Sequence, residues 1–149
     1  MHRKTRPFAL VALLAVALFA CGDGSTDPPP FPSVSGTYDV EVTFDDFPPS
    51  TIHGSGTLTF AQPDESSGEL TGTADVALII NGSVDDMTEV SHAFVTRGGT
   101  IHFRLGALTP PTTWRFDGTF PNGSATISGR HVLEGEGERY SGSWSATRQ

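Results

Sequence analysis

From Val34 to the C-terminus, apolar and polar residues alternate with a period of two, and Gly, Pro, Asn and Asp interrupt the alternation at short intervals. In Thr37–Phe44, Tyr38, Val40, Val42 and Phe44 fall on one side, while Thr37, Asp39, Glu41 and Thr43 fall on the other. Ile101, Phe103, Leu105 and Ala107 oppose His102 and Arg104 in the same way, and Trp114, Phe116 and Phe120 oppose Arg115, Asp117 and Thr119. The pattern predicts eight strands, over Gly36–Phe44, Thr51–Phe60, Leu70–Ile80, Thr88–Thr96, Thr100–Leu108, Thr112–Phe120, Ser124–Leu133 and Arg139–Ala146. Extended to Thr88–Thr96, the same parity turns Val90, His92 and Phe94 inward.

Eight short antiparallel strands with one apolar face must close on themselves or stack as two sheets. Closure removes the open edges that invite aggregation. Glycines within strands, such as Gly54, Gly118, Gly129 and Gly142, permit the bends of a small barrel. The expected fold is therefore all-β, an eight-stranded antiparallel up-and-down barrel, with a two-sheet β-sandwich as the alternative. A transmembrane barrel would carry its apolar face outward. Here the polar faces bear Asp39, Glu41, Asp75, Arg104, Arg115 and Asp117, and the large aromatics lie on the other face, as a closed core requires.

The residues before Val34 follow a different plan. His2, Arg3, Lys4 and Arg6 precede an apolar run from Phe8 to Ala20, shorter than the roughly 20 residues that span a bilayer, and Cys21 follows directly. Leu18-Phe19-Ala20-Cys21 resembles the lipobox of bacterial lipoproteins. That resemblance covers the chain from Met1 to about Asp23. It implies cleavage after residue 20, acylation of Cys21 by diacylglycerol and a further fatty acid such as palmitate, and attachment to the membrane through that residue. With Gly22 rather than aspartate after the cysteine, the family's sorting rule implies the outer membrane of a two-membrane envelope, facing the periplasm or the cell surface. Two or more acyl chains, each gaining about 0.8 kcal/mol per buried CH₂, are enough for stable attachment. Gly22–Ser33 is rich in Gly, Ser and Pro and reads as a tether in extended polyproline form. The predicted organisation is a signal peptide over 1–20, an anchor and tether over 21–33, and a barrel over 34–149.

Removal of residues 1–20 leaves six Arg and seventeen acids, a formal charge of −11, with no lysine and with Cys21 as the sole thiol. Nucleic acid, which demands a basic patch, is an unsuitable partner for such a chain. Schiff-base chemistry on lysine is excluded, and so is catalysis by a free thiol. The chain has no Gly-x-Ser-x-Gly elbow, His-Glu-x-x-His pair, phosphate-binding glycine loop or Cys-x-x-Cys motif, and no enzyme is expected.

Gly36-Thr37-Tyr38 in the first strand and Ser141-Gly142-Ser143-Trp144 in the last resemble the edges of calycin barrels, the lipocalin and avidin group. The resemblance implies that Arg148 packs near Tyr38 and that the barrel mouth holds a small apolar ligand. Tyr38, Trp114, His92 and His131 share the inward parity and are the candidate ligand-binding residues, the two imidazoles being able to orient a ligand. Small inward residues at Gly54, Gly56, Gly72 and Ala74 mark where a pocket would open. In a meander alternate connections share one rim, which would gather Asp45, Asp46, Asp85, Asp86, Glu134, Glu136 and Glu138 away from the tether. Carboxylates grouped there would suit calcium or a cationic partner. Two functional readings stay open. One is a lipid-anchored barrel binding a small ligand; the other is a structural or interaction module of the envelope, with a solid core, whose partner is another envelope protein.

Overall fold

The computed structural model describes residues 29–107, 112–121, 124–135 and 137–149. Cys21 with the preceding apolar run, Pro110-Pro111 and Glu136 lie outside the described residues. Eight strands follow one another: β1 (Gly36–Phe44), β2 (Ile52–Ala61), β3 (Thr71–Ile80), β4 (Ser83–Val95), β5 (Thr100–Ala107), β6 (Thr113–Thr119), β7 (Thr126–Gly135) and β8 (Glu138–Arg148). Each pairs antiparallel with the next, and β8 returns to β1 from Tyr38 opposite Arg148 to Phe44 opposite Gly142, so the sheet is a closed barrel rather than a sandwich.

The alternation resolves into the two faces of this sheet. Tyr38, Val40, Val42, Phe44, Leu58, Phe60, Ile101, Phe103, Leu105, Trp114, Phe116, Ile127 and Trp144 are buried inside. Asp39, Glu41, Thr43, Asp75, Arg104 and Arg115 are exposed outside. This loading is the reverse of a lipid-facing barrel, in which charges at mid-depth cost about 2–4 kcal/mol each.

β4 departs from the simple pattern. The hairpin from β3 turns through Asn81 (φ 49°) and Gly82 (φ 84°), with Ile80 opposite Ser83, the two-residue turn that Asn-Gly favours because both central residues need positive φ. β4 therefore begins five residues earlier than the alternation predicts, and Asp85 and Asp86 lie on the strand instead of in a rim loop. Two breaks in register against β5, between Met87 and Glu89 and between Ser91 and Phe94, are β-bulges. Each shifts the inward parity by one residue. Met87 and Val95 are buried and Val90 is half-buried, but His92 (φ 51°) and Phe94 face outward, contrary to the expectation for both.

The rim that carries both termini is fastened by side chains from the chain ends. The Tyr38 hydroxyl donates to the Val34 carbonyl (2.9 Å) and accepts from Arg148 Nη2 (2.8 Å), and the guanidinium lies 5.4 Å from the Tyr38 ring centroid. The domain also reaches further back than Val34. Phe31 packs against the core, Arg97 sits over its ring at 4.5 Å and donates from Nη1 to the Pro29 carbonyl (2.8 Å). The last part of the expected tether is thus part of the folded body.

Candidate functional site

Inside the barrel the aromatic side chains touch one another. Phe103 stacks on Phe116 (4.8 Å between centroids), and Trp144 meets both edge-on at 5.3 and 5.5 Å. Phe60 joins Phe103 to Tyr38, and Trp114 joins Phe116 to Phe44. The rings form one connected set running from the Tyr38 rim to Phe44 near the other. Gly54, one of the small residues expected to open a pocket, lies under the Trp114 ring: a Cβ there would be 2.9 Å from Cη2. In the same way the Trp144 ring covers Gly118, where a Cβ would be 2.6 Å from Cζ2. Glycines on β2 and β6 are thus complementary in volume to the tryptophans of β6 and β8, which reach them through the barrel interior.

Of the four candidate ligand-binding residues, Trp114 and His131 come together, Tyr38 lies at the opposite rim, and His92 is outside. Pairing of β6 with β7 sets Phe116 opposite His131, and β8 sets Gly142 on its other side. His131 is 1% exposed, the sole buried residue of polar type among the described residues. Trp114 Nε1 donates to His131 Nδ1 (3.0 Å), and because indole can only donate, Nδ1 must be the unprotonated nitrogen. His131 Nε2 then carries the proton and donates to the Thr43 carbonyl (2.9 Å), passing over β8 where Gly142 has no side chain. The imidazole therefore ties β6, β7 and β1 together as a neutral group.

Burial pushes the His131 pKa below its ordinary value; the bond to Thr43 opposes that shift, and the nearby Arg130 guanidinium adds to it. A proton on Nδ1 would face the Trp114 N–H. Since the folded pKa lies below the unfolded value, the unfolded chain takes up the proton first as pH falls, and stability present above pH 6.5 is lost below it. We expect His131 to contribute a slope of up to about 1.4 kcal/mol per pH unit between pH 6.5 and its folded pKa. Urea melts from pH 7.5 to 5 check this: His131→Gln should be less stable at pH 7.5, yet lose less stability on acidification than the wild type.

The other histidines among the described residues are on the outer face. His53 is half-buried between Thr43 and Ile79 of the flanking strands. His102 bonds through Nδ1 to Asp117 and stacks on Phe94 (4.6 Å, 27° between planes).

The described acids of the expected rim have separate surroundings. Asp45 is held by Arg130, whose guanidinium keeps the carboxyl below its ordinary pKa. Glu134 pairs with Arg139 (3.4 Å), and Glu138 accepts from the Tyr140 hydroxyl. Asp46 is exposed, and Asp85 and Asp86 stand on β4. Among the described residues no three His, Cys, Asp or Glu side chains are grouped to hold a metal ion. Neighbouring Arg and Tyr side chains engage three of these acids separately, and Glu136 lies outside the described residues. What sequence reasoning missed is the linked trio of His131, Gly142 and Thr43, for which the strand-interior glycine beside Trp144 was the available signal.

Compared with protein-family models, with curated proteins and with solved structures, the chain matches none.

Proposed function

We propose that this protein is a lipid-anchored module of the bacterial envelope, its barrel filled by its own side chains, which works by presenting its outer surface and the rim opposite the tether to another envelope component. The observation that carries the reading is the connected set of rings from Tyr38 to Phe44, with Trp114 and Trp144 lying over Gly54 and Gly118. Space that a calycin barrel gives to its ligand is taken here by aromatic side chains. The Tyr38–Arg148 contact matches the one that the calycin resemblance implies, but it belongs to the closed end and supports topology rather than ligand capture.

The anchor rests on the charged start, the apolar run and the Leu18-to-Cys21 motif. The barrel's first and last strands begin and end at the same rim, so the opposite rim, with Asp45, Asp46, Glu134 and Glu138, points away from the bilayer and sets a negative field toward a partner. Calcium enters this reading only as a counter-ion for that field. The module is non-catalytic, and the outer membrane is its proposed site.

Expression in a bacterial host tests the anchor. Wild-type protein should incorporate labelled palmitate and partition into detergent, while Cys21→Ser should do neither. Equal labelling of the two proteins would remove the lipid anchor from the reading.

A further inference from the structure

On the outside of the barrel, at the rim that carries the tether, β4 and the β2–β3 loop enclose a cleft of about 730 Å³ lined by Asp64, Ser67, Glu69, Leu70, His92 and Phe94, among others. We propose that this cleft binds the sugar ring of a glycan.

Three observations lead there. Phe94 is 45% exposed and is, with Val84, one of two large apolar residues so exposed among the described residues. It faces water because the bulge at His92 reverses the parity of β4; without that bulge its ring would enter the core. His92 holds a left-handed conformation (φ 51°), uncommon for a residue other than glycine, and such outliers together with bulges gather beside binding sites. The exposed ring is also fixed in place. His102 stacks on it and is itself held by Asp117, so one face is covered while the residue stays half open to solvent.

The surroundings select the ligand class. Glu69 is exposed, and Asp64 uses Oδ1 to accept from the Ser66 N–H (2.8 Å) and hydroxyl (2.7 Å), leaving Oδ2 available. Two carboxylates disfavour an anion, and a wholly apolar ligand would strip them of water without replacing its hydrogen bonds. A sugar presents a C–H face to an aromatic ring and hydroxyl donors around its edge to carboxylates, and His92 and Ser67 add further hydrogen-bonding groups. The proposal rests on the outer-surface reading above.

The test is a titration of the detergent-solubilised full chain, labelled with ¹⁵N, using chitotetraose as the glycan probe and choline chloride as a cation of similar reach. The expected result is saturable shifts at Glu69, His92 and Phe94 with chitotetraose, weakened by about tenfold or more in Phe94→Ala, the loss of one stacking platform. Glu69→Gln should weaken binding several-fold with the spectrum otherwise unchanged, which separates lost contact from lost fold. No shifts with chitotetraose, shifts confined to the other rim, or shifts with choline alone would each overturn the glycan assignment. Those outcomes leave the filled barrel standing, because it is read by a different probe.

Discussion

Trp114→Ala is expected to lower the unfolding free energy by about 3–5 kcal/mol from lost packing alone. Trp114 is buried, touches Phe44, Phe116 and His131, and covers Gly54, so the vacated volume borders β1, β2, β6 and β7 together. The change also orphans His131 Nδ1, adding about 1–3 kcal/mol for an unsatisfied buried acceptor. Against a total stability of about 5–15 kcal/mol, the variant should be largely unfolded or melt far below the wild type. Trp114→Phe separates the two contributions: it keeps a ring over Gly54 and removes the donor, so its loss should be nearer the second figure. Thermal and urea melts of the pair measure both.

Gly142→Ala is the second large effect. A Cβ at Gly142 would be 1.8 Å from the Thr43 carbonyl oxygen and 2.6 Å from His131 Nε2, the two atoms that bond to each other across β8. The methyl group must push them apart, breaking the bond and straining the β1–β8 pairing that closes the barrel. We expect a loss of about 2–4 kcal/mol from overpacking and the orphaned donor together. Gly98→Ala is the control, since the nearest atom to a Cβ there is Thr96 Oγ1 at 3.8 Å. Equal melting temperatures for the two variants would show that the Thr43–His131 bond does not depend on the gap at Gly142.

The alternation along β1, β5 and β6 was enough to assign their faces, because a strand buried on one side repeats every two residues and those strands have no insertions. β4 was misread for a physical reason. A bulge adds one residue without changing composition, so the apolar letters of Val90, His92-Ala93-Phe94 and Val95 give no sign that the face has switched twice. Asn81-Gly82 carries a turn signal, and a two-residue hairpin there, with Ile80 opposite Ser83, brings onto the strand the Asp85 and Asp86 that the rim reading assigns to a loop. His131 shares the parity of Ile127 and Leu133 and is buried with them, but its partners are not legible in the sequence. They depend on cross-strand register between β6 and β7 and on a glycine two strands from Trp114. At the acidic rim, topology brings the loops to one end, and Arg130, Arg139 and Tyr140 engage carboxylates there one by one, which depends on side-chain geometry that the sequence does not display.

The filled barrel is the central claim, and the protein carries its own reporters for it, because Trp114 and Trp144 are its two tryptophans and both are buried inside. Titration with laurate, followed by tryptophan emission, tests it most directly. The account predicts that the blue-shifted emission of the folded protein stays unchanged up to the solubility limit of the fatty acid. A saturable change in emission at one equivalent, abolished by widening Gly54 to Val, would contradict it and place an apolar ligand within the barrel.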